Sequence, residues 1–240
     1  MPARRFFVEG VRAIGERVAI EGADARKIVA VLRLSDGDAI ELVDSAGTRF
    51  DARVHVDGNA VFASLLAAHA NETPASRSID VAQAIPKGQK MDFVVEKATE
   101  LGARAILPFT SERSVAHASG TAKIDRWRRL ARTAAQQCGR SFVPEIAGVG
   151  SYDELLARFA EYDAVLFPWE VAPAQPLRET LPPLLAGASR VLVVIGPEGG
   201  FSHAEADMAA DRGAHLLWLG PRILRTETAA MVLLAILEYL

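Results

Sequence analysis

Residues 191–195 read Val-Leu-Val-Val-Ile and run directly into Gly196-Pro197-Glu198-Gly199-Gly200. Five consecutive apolar residues leave no polar face, so a strand of this kind is buried on both sides. Antiparallel sheets with one wet face alternate instead, so the run points to a parallel sheet covered by helices. Its neighbours agree. Strand-like segments at 79–85, 104–109, 163–167 and 216–219 alternate with helical ones at 89–101, 123–138 and 226–239. In the first of these helices Val94, Ala98 and Leu101 share a face. Two more helices are announced by capping boxes, Ser151 with Glu154 and Ser202 with Glu205. Gly213 is placed to end the second of them. The α/β rhythm therefore occupies everything after about residue 78.

The first part of the chain has a different period. Short strands are expected at 5–9 and 17–21, and a helix at 23–34 with Asp24 in its first turn. Three alternating segments follow at 38–43, 49–56 and 60–66, punctuated by Ser45-Ala46-Gly47 and Asp57-Gly58-Asn59. Strands this short with tight turns suggest a small β-barrel. Residues 70–78 turn polar around Pro74 and read as a linker.

With 240 residues, half of them hydrophobic, the chain is long enough for two domains with real cores. The longest apolar run, 229–237, is too short to span a bilayer, and the N-terminus lacks the pattern of a secretory signal. A lone cysteine, Cys138, cannot make an internal disulfide. The expectation is a soluble cytoplasmic protein with no membrane segment, with Cys138 buried beside Ala134 and Ala135. The net charge of −3 argues mildly against a nucleic-acid ligand, but a local patch is what a phosphate backbone feels. Lys123, Arg126, Arg128, Arg129, Arg132 and Arg140 crowd one segment with only Asp125 against them. On a helix Arg128 and Arg132 share one face and Arg126 and Arg129 another, a pattern common to an ordinary solvated helix and to one that contacts phosphate.

Two loops carry the chemistry. Residues 196–200 and 220–225 (Gly-Pro-Arg-Ile-Leu-Arg) each leave the carboxyl end of an expected strand, where parallel α/β sheets bind ligands. Glycines there allow positive φ and close approach of a ligand to the backbone. Neither loop ends in the Gly-Lys-Ser/Thr of a P-loop, and no Gly-x-Gly-x-x-Gly follows the first α/β strand. That leaves a ligand read by backbone groups, such as an adenosine. His55, His69, His117, His203 and His215 are scattered without metal-ligand or triad spacing, so no metal is expected.

Residues 196–202, Gly-Pro-Glu-Gly-Gly-Phe-Ser, and 219–229, Leu-Gly-Pro-Arg-Ile-Leu-Arg-Thr-Glu-Thr-Ala, resemble the two cofactor motifs of the SPOUT methyltransferases. The resemblance is strongest to the RsmE family, the 16S rRNA uracil-1498 N3-methyltransferases. Lys87-Gly88, residues 97–102, Pro108 with Ser111-Glu112-Arg113-Ser114, and residues 136–140 with Pro144 extend it along the chain. The resemblance implies a PUA-like RNA-binding barrel over 1–72 and a SPOUT domain over 73–240, whose C-terminal segment is tied in a trefoil knot. It implies S-adenosyl-L-methionine as cofactor, 16S rRNA within the small ribosomal subunit as partner, and a homodimer with an apolar interface helix. Residues 229–240 could supply part of that helix or could equally pack inside their own subunit.

By the same resemblance Gly196, Glu198, Gly200, Leu219, Gly220, Ile223, Leu224 and Thr228 would line the cofactor. Arg126, Arg128, Arg129 and Arg132 would hold RNA. Methylating a uracil N3 means removing its proton, which spreads negative charge onto the flanking carbonyls. Arg225, inside the second loop, and Arg140, which a partner subunit could present, are the candidates to stabilise that charge. Glu198 is expected to be a poor base because it sits near a helix N-terminus. Two rivals share some of these features: a SPOUT ribose 2′-O-methyltransferase, and a non-catalytic RNA-binding protein.

Overall fold

The structure, a computed structural model, describes residues 4–58, 60–69, 77–114, 121–238 and 240. Asn59 of the second turn, residues 70–76 of the linker, His117 and Tyr239 therefore lie outside the described residues. The chain divides into two compact units, residues 1–74 with 135–142, and residues 75–134 with 143–240. A single cut after residue 72 does not express this, because segment 135–142 groups with the first unit. Buried Gln136 shows why: it accepts from Lys27 Nζ at 3.1 Å and donates to Asp24 Oδ1 at 3.0 Å.

In the first unit, β1 (Arg5–Phe7), β2 (Arg17–Ile20), β3 (Ala39–Val43), β4 (Arg49–Asp57) and β5 (Ala60–His69) form one sheet in the order β1-β3-β4-β5-β2. All pairs are antiparallel except β1 with β3. Alternation decides what is inside: Phe50, Ala52 and Val54 of β4 and Val61, Ala63 and Leu65 of β5 are buried on one face. The register slips once, leaving Leu66 as an extra, exposed residue opposite the Asp51–Ala52 step. The expected helix over 23–34 is shorter than its periodicity suggests. Helix α1 (Gly22–Arg26) passes into a π turn (Lys27–Val31), where the Leu32 amide donates to the Lys27 carbonyl. Arg33 then takes φ +51 and ends it.

The second unit is a parallel sheet with helices on both faces. Its strands are β6 (Ser78–Ala84), β7 (Ala105–Thr110), β8 (Glu145–Ile146), β9 (Gly150–Ser151), β10 (Ala164–Pro168), β11 (Arg190–Ile195) and β12 (Ala214–Leu217). They run in the order β12-β10-β11-β6-β7-β8, with β9 also on β7, every pair parallel. Along β11, Val191, Val193 and Ile195 face the helices α2 (Lys90–Glu100), α3 (Thr121–Cys138), α5 (Leu177–Leu185) and α7 (Thr226–Glu238). Leu192 and Val194 face α4 (Tyr152–Ala157) and α6 (His203–Asp211) on the other side. The all-apolar strand is thus explained by burial on both faces. No helix among the described residues is long and apolar enough to cross a membrane.

Both capping boxes form, at Ser151–Glu154 and Ser202–Glu205. Helix α5 has no counterpart in the sequence reading, and it carries Pro182 and Pro183 within it. Burial of Leu181 and Leu185, one turn apart, holds it together. Cys138 is exposed, contrary to expectation. It is the last residue of α3, its thiol turned back toward the Ala135 carbonyl, while Ala134 and Ala135 face inward. In α7, Ala230, Leu233, Leu234 and Leu237 are buried within the unit, so its most apolar stripe is used inside the chain.

Candidate functional site

The last of these strands begins and ends earlier than its sequence suggests. β12 covers 214–217 rather than 216–219, because it pairs with β10 from Val165–Ala214 to Pro168–Leu217 and stops where β10 stops. Trp218 and Leu219 therefore belong to the loop. The two glycine loops leave β11 and β12, which are not neighbours: β10 lies between them. The ends of all three strands open on one cavity of about 650 Å³, a size that suits a cofactor. Its walls are 168–170 at the end of β10, 195–198 with Gly200 and Phe201 at the end of β11, and 218–226 after β12, with Lys90 of α2 and Ala229 of α7.

Of the residues expected around a cofactor, Gly196, Glu198, Gly200, Leu219, Gly220, Ile223 and Leu224 line this cavity, as does Arg225. Thr228 does not. It is exposed on the first turn of α7, and Thr226, two residues earlier, takes the inward position. Arg140 does not line the cavity either: it lies in segment 135–142 with its guanidinium 3.9 Å from the Phe142 ring centroid. Trp169, Glu170, Trp218, Lys90 and Thr226 were missed. The strand-end rule applies to β10 as well, but Pro168-Trp169-Glu170 carries no glycine to draw attention to it.

The glycines of the first loop are explained by packing inside the chain. A Cβ on Gly196 would sit 2.9 Å from the ring of buried Phe201. A Cβ on Gly200, already at φ +66, would lie 2.5 Å from Glu170 Oε1. The loop is then braced by the segment that follows β7: Arg113 Nη1 donates to the Gly199 carbonyl at 3.0 Å, and Ser202 Oγ donates to Glu112 Oε2 at 2.7 Å. It is tied to the second loop at Thr226, whose hydroxyl donates to the Gly196 carbonyl at 2.6 Å and accepts from buried Gln83 at 2.8 Å.

Glu198 turns away from helix α6 and toward the start of α2. Its Oε1 accepts from Lys90 Nζ at 2.9 Å and from the Lys87 amide at 3.0 Å. Partial burial pushes its carboxyl up, but the Lys90 ammonium together with the amides of Glu198 and Lys87 outweighs this and holds it below the usual carboxylate range. The hydrogen bond to Glu198 correspondingly raises Lys90. Glu198 is thus a poor base, as expected, though the cause is Lys90 and two amides rather than a helix N-terminus. Because its folded-state value is lowered, the stability it contributes is present above about pH 4.5 and lost as pH falls through the folded value. The stability difference between wild type and E198Q should therefore hold from neutral pH down to about 4.5 and close at lower pH. Denaturant titrations at stepped pH check this.

On α3, Arg126 is committed inside the unit, with Nε 3.1 Å from Asp92 Oδ2, and Asp92 also accepts from Trp127 Nε1. Arg128 reaches Asp125 at 3.2 Å, with both side chains more than half exposed. Arg129 is exposed and Arg132 half-buried, while Trp127, Ala131, Ala134 and Ala135 form the buried face.

Residues 73–238 match the family described as RNA methyltransferase domain. Over 98% of its length the chain is 30% identical to 96% of a protein of Bacillus subtilis named ribosomal RNA small subunit methyltransferase E. It is 31% identical to 90% of the Mycobacterium bovis protein of that name, again over 98% of this chain. Among solved structures, a ribosomal RNA small subunit methyltransferase E of Neisseria gonorrhoeae bound to S-adenosyl methionine superimposes with a TM-score of 0.88 at 29% identity. That match covers 99% of this chain and 97% of that one.

Proposed function

The chain belongs to the RNA methyltransferase family that includes the ribosomal RNA small subunit methyltransferases E, and from that premise we propose that it methylates N3 of one uridine, uracil-1498, in 16S rRNA. The observation that carries this reading is the cavity beyond β10, β11 and β12, built from both glycine loops in a chain that matches those relatives end to end. S-adenosylmethionine fits it: Trp169, Trp218, Leu219 and Leu224 offer apolar walls, and charges of both signs stand at Lys90, Glu198 and Arg222. Bound there, it supplies an electrophilic methyl group on a sulfonium. The chain's part is to hold donor and uracil at reacting distance and to receive the charge that develops on the base.

Gly196, Gly200, Gly220 and Leu224 would hold the cofactor, Arg225 would face the uracil carbonyls, and Glu198 would keep the first loop on α2 through Lys90. The C-terminal segment would be threaded as a trefoil knot, with Thr226 tying the first glycine loop to Gln83. The first unit would be PUA-like and hold RNA, and the protein would work as a homodimer in the cytoplasm.

Small ribosomal subunits from a strain lacking this modification, incubated with labelled S-adenosylmethionine and the protein, should acquire label at one uridine. N3-methyluridine blocks the pairing edge, so reverse transcriptase should stop at a single cofactor-dependent position. Label on a ribose, with read-through at every uridine, would replace N3 chemistry by 2′-O chemistry. Cofactor binding without transfer to any RNA would sink the reading.

Arg128 and Arg132, four residues apart on one face of the basic helix, are assigned to phosphate as a pair. Replacing both by alanine should flatten the slope of log affinity against log salt by roughly 0.7–0.9 for each phosphate no longer neutralised, for every RNA sequence alike. Filter binding from low to high salt gives the slope. An unchanged slope would remove this helix from the RNA interface.

A further inference from the structure

The reaction needs a proton acceptor, and Glu198 is excluded from that role by its ion pair with Lys90. Glu227 Oε2 lies 3.8 Å from the same ammonium. Among the described residues, that leaves Glu170 as the one carboxylate lining the cavity that is not set against a lysine. Resting on the functional reading above, we propose that Glu170 is the catalytic base that removes the N3 proton of the target uracil.

Glu170 stands two residues beyond β10, the strand inserted between those that carry the two glycine loops. It is placed by its neighbours on both sides. Trp169 is buried, donates from Nε1 to the Phe201 carbonyl at 3.4 Å, and meets the His203 ring edge-on at 5.0 Å. The Glu170 carboxylate itself lies against Gly200, in the space a Cβ would need. Yet the residue remains exposed, so the carboxylate is held at the cavity wall and still open to a substrate. Among the described residues it forms no ion pair that would hold its charge in place, unlike Glu198.

The step balances. The N3–H bond breaks and its proton passes to a Glu170 oxygen. The electron pair left on N3 bonds the methyl carbon as the carbon–sulfur bond breaks, and that pair goes to sulfur. An anionic carboxylate, a neutral uracil and a sulfonium become a neutral carboxyl, a neutral N3-methyluracil and a neutral thioether. The carboxyl returns its proton to water when product leaves. Arg225, on the wall formed by the 218–226 segment, would stabilise the carbonyl oxygens while Glu170 takes the proton. Gly200 then has a defined purpose: any side chain there would displace the base.

The full-length protein tests this with E170Q, which keeps shape and removes basicity, and E170D, which keeps the carboxylate on a shorter stem. Turnover of E170Q should fall about 100-fold or more. Its cofactor affinity, measured by calorimetry or through the fluorescence of Trp169 and Trp218, should stay within about threefold, and E170D should recover part of the rate. In E170A, formate should restore turnover in proportion to its concentration and formamide should not, which a purely structural role would not produce. E170Q turnover within about threefold of wild type overturns the assignment. So does a cofactor affinity weakened tenfold with turnover intact at saturation, which would make Glu170 a cofactor ligand. Failure of both E170D and formate to rescue also overturns it. A wild type that transfers no methyl group refutes the functional reading itself, whereas an active wild type with an equally active E170Q refutes this proposal alone.

Discussion

Arg225→Ala is expected to lower turnover by about 100- to 1000-fold while leaving cofactor affinity within about threefold. The backbone of Arg225 is anchored at the start of α7, where its carbonyl accepts from the amides of Thr228 and Ala229, each at 2.9 Å. Its side chain is exposed and lines the cavity. On the proposal that Arg225 faces the uracil, its guanidinium would interact most strongly only when the uracil carbonyls gain charge. Its loss therefore appears in kcat rather than in ground-state binding. Arg225→Lys keeps the charge without the planar fork and should recover only part of the rate. Single-turnover methylation, with cofactor affinity measured separately, distinguishes the cases. Full turnover in Arg225→Ala, or a loss that saturating cofactor restores, would end the assignment.

Phe201→Ala is expected to destabilise the chain by about 3–5 kcal/mol, seen as a fall in Tm of roughly 2–4 °C for each kcal/mol. Phe201 is buried against Phe167 at 4.2 Å between ring centroids, with Tyr152 at 5.9 Å and Phe109 at 6.4 Å. The same ring is what forbids a side chain at Gly196. Gly196→Ala alone should thus be destabilising, and much less so in the Phe201→Ala background, where the cavity accepts the methyl group. Thermal or denaturant unfolding of the four proteins gives the coupling. Additive losses would mean that Gly196 is required for its backbone or its ligand, and not for Phe201.

The difference between what could and could not be read along the chain follows from the range of the forces involved. Val191–Ile195 announces a doubly covered strand because burial on two faces acts on each side chain in turn. Ser151–Glu154 and Ser202–Glu205 announce helix starts because a capping box closes within four residues. The motifs at 196–202 and 219–229 were specific enough to carry the family. Where the chain departed from its local pattern, a distant partner was responsible. β12 ended early to match β10, α5 survived two prolines through buried leucines, and Arg126 was drawn to Asp92.

By itself, then, the sequence determined the α/β class of the second unit, its helix caps and the two glycine loops that line the cavity. Only the tertiary structure decided that β10 runs between β11 and β12, bringing Trp169 and Glu170 to the same cavity, and that Glu198 is held by Lys90 across 108 residues of chain. Strand order and such pairings depend on which surfaces bury one another best once the whole sheet is assembled. That energy belongs to no single segment, so no single segment records it.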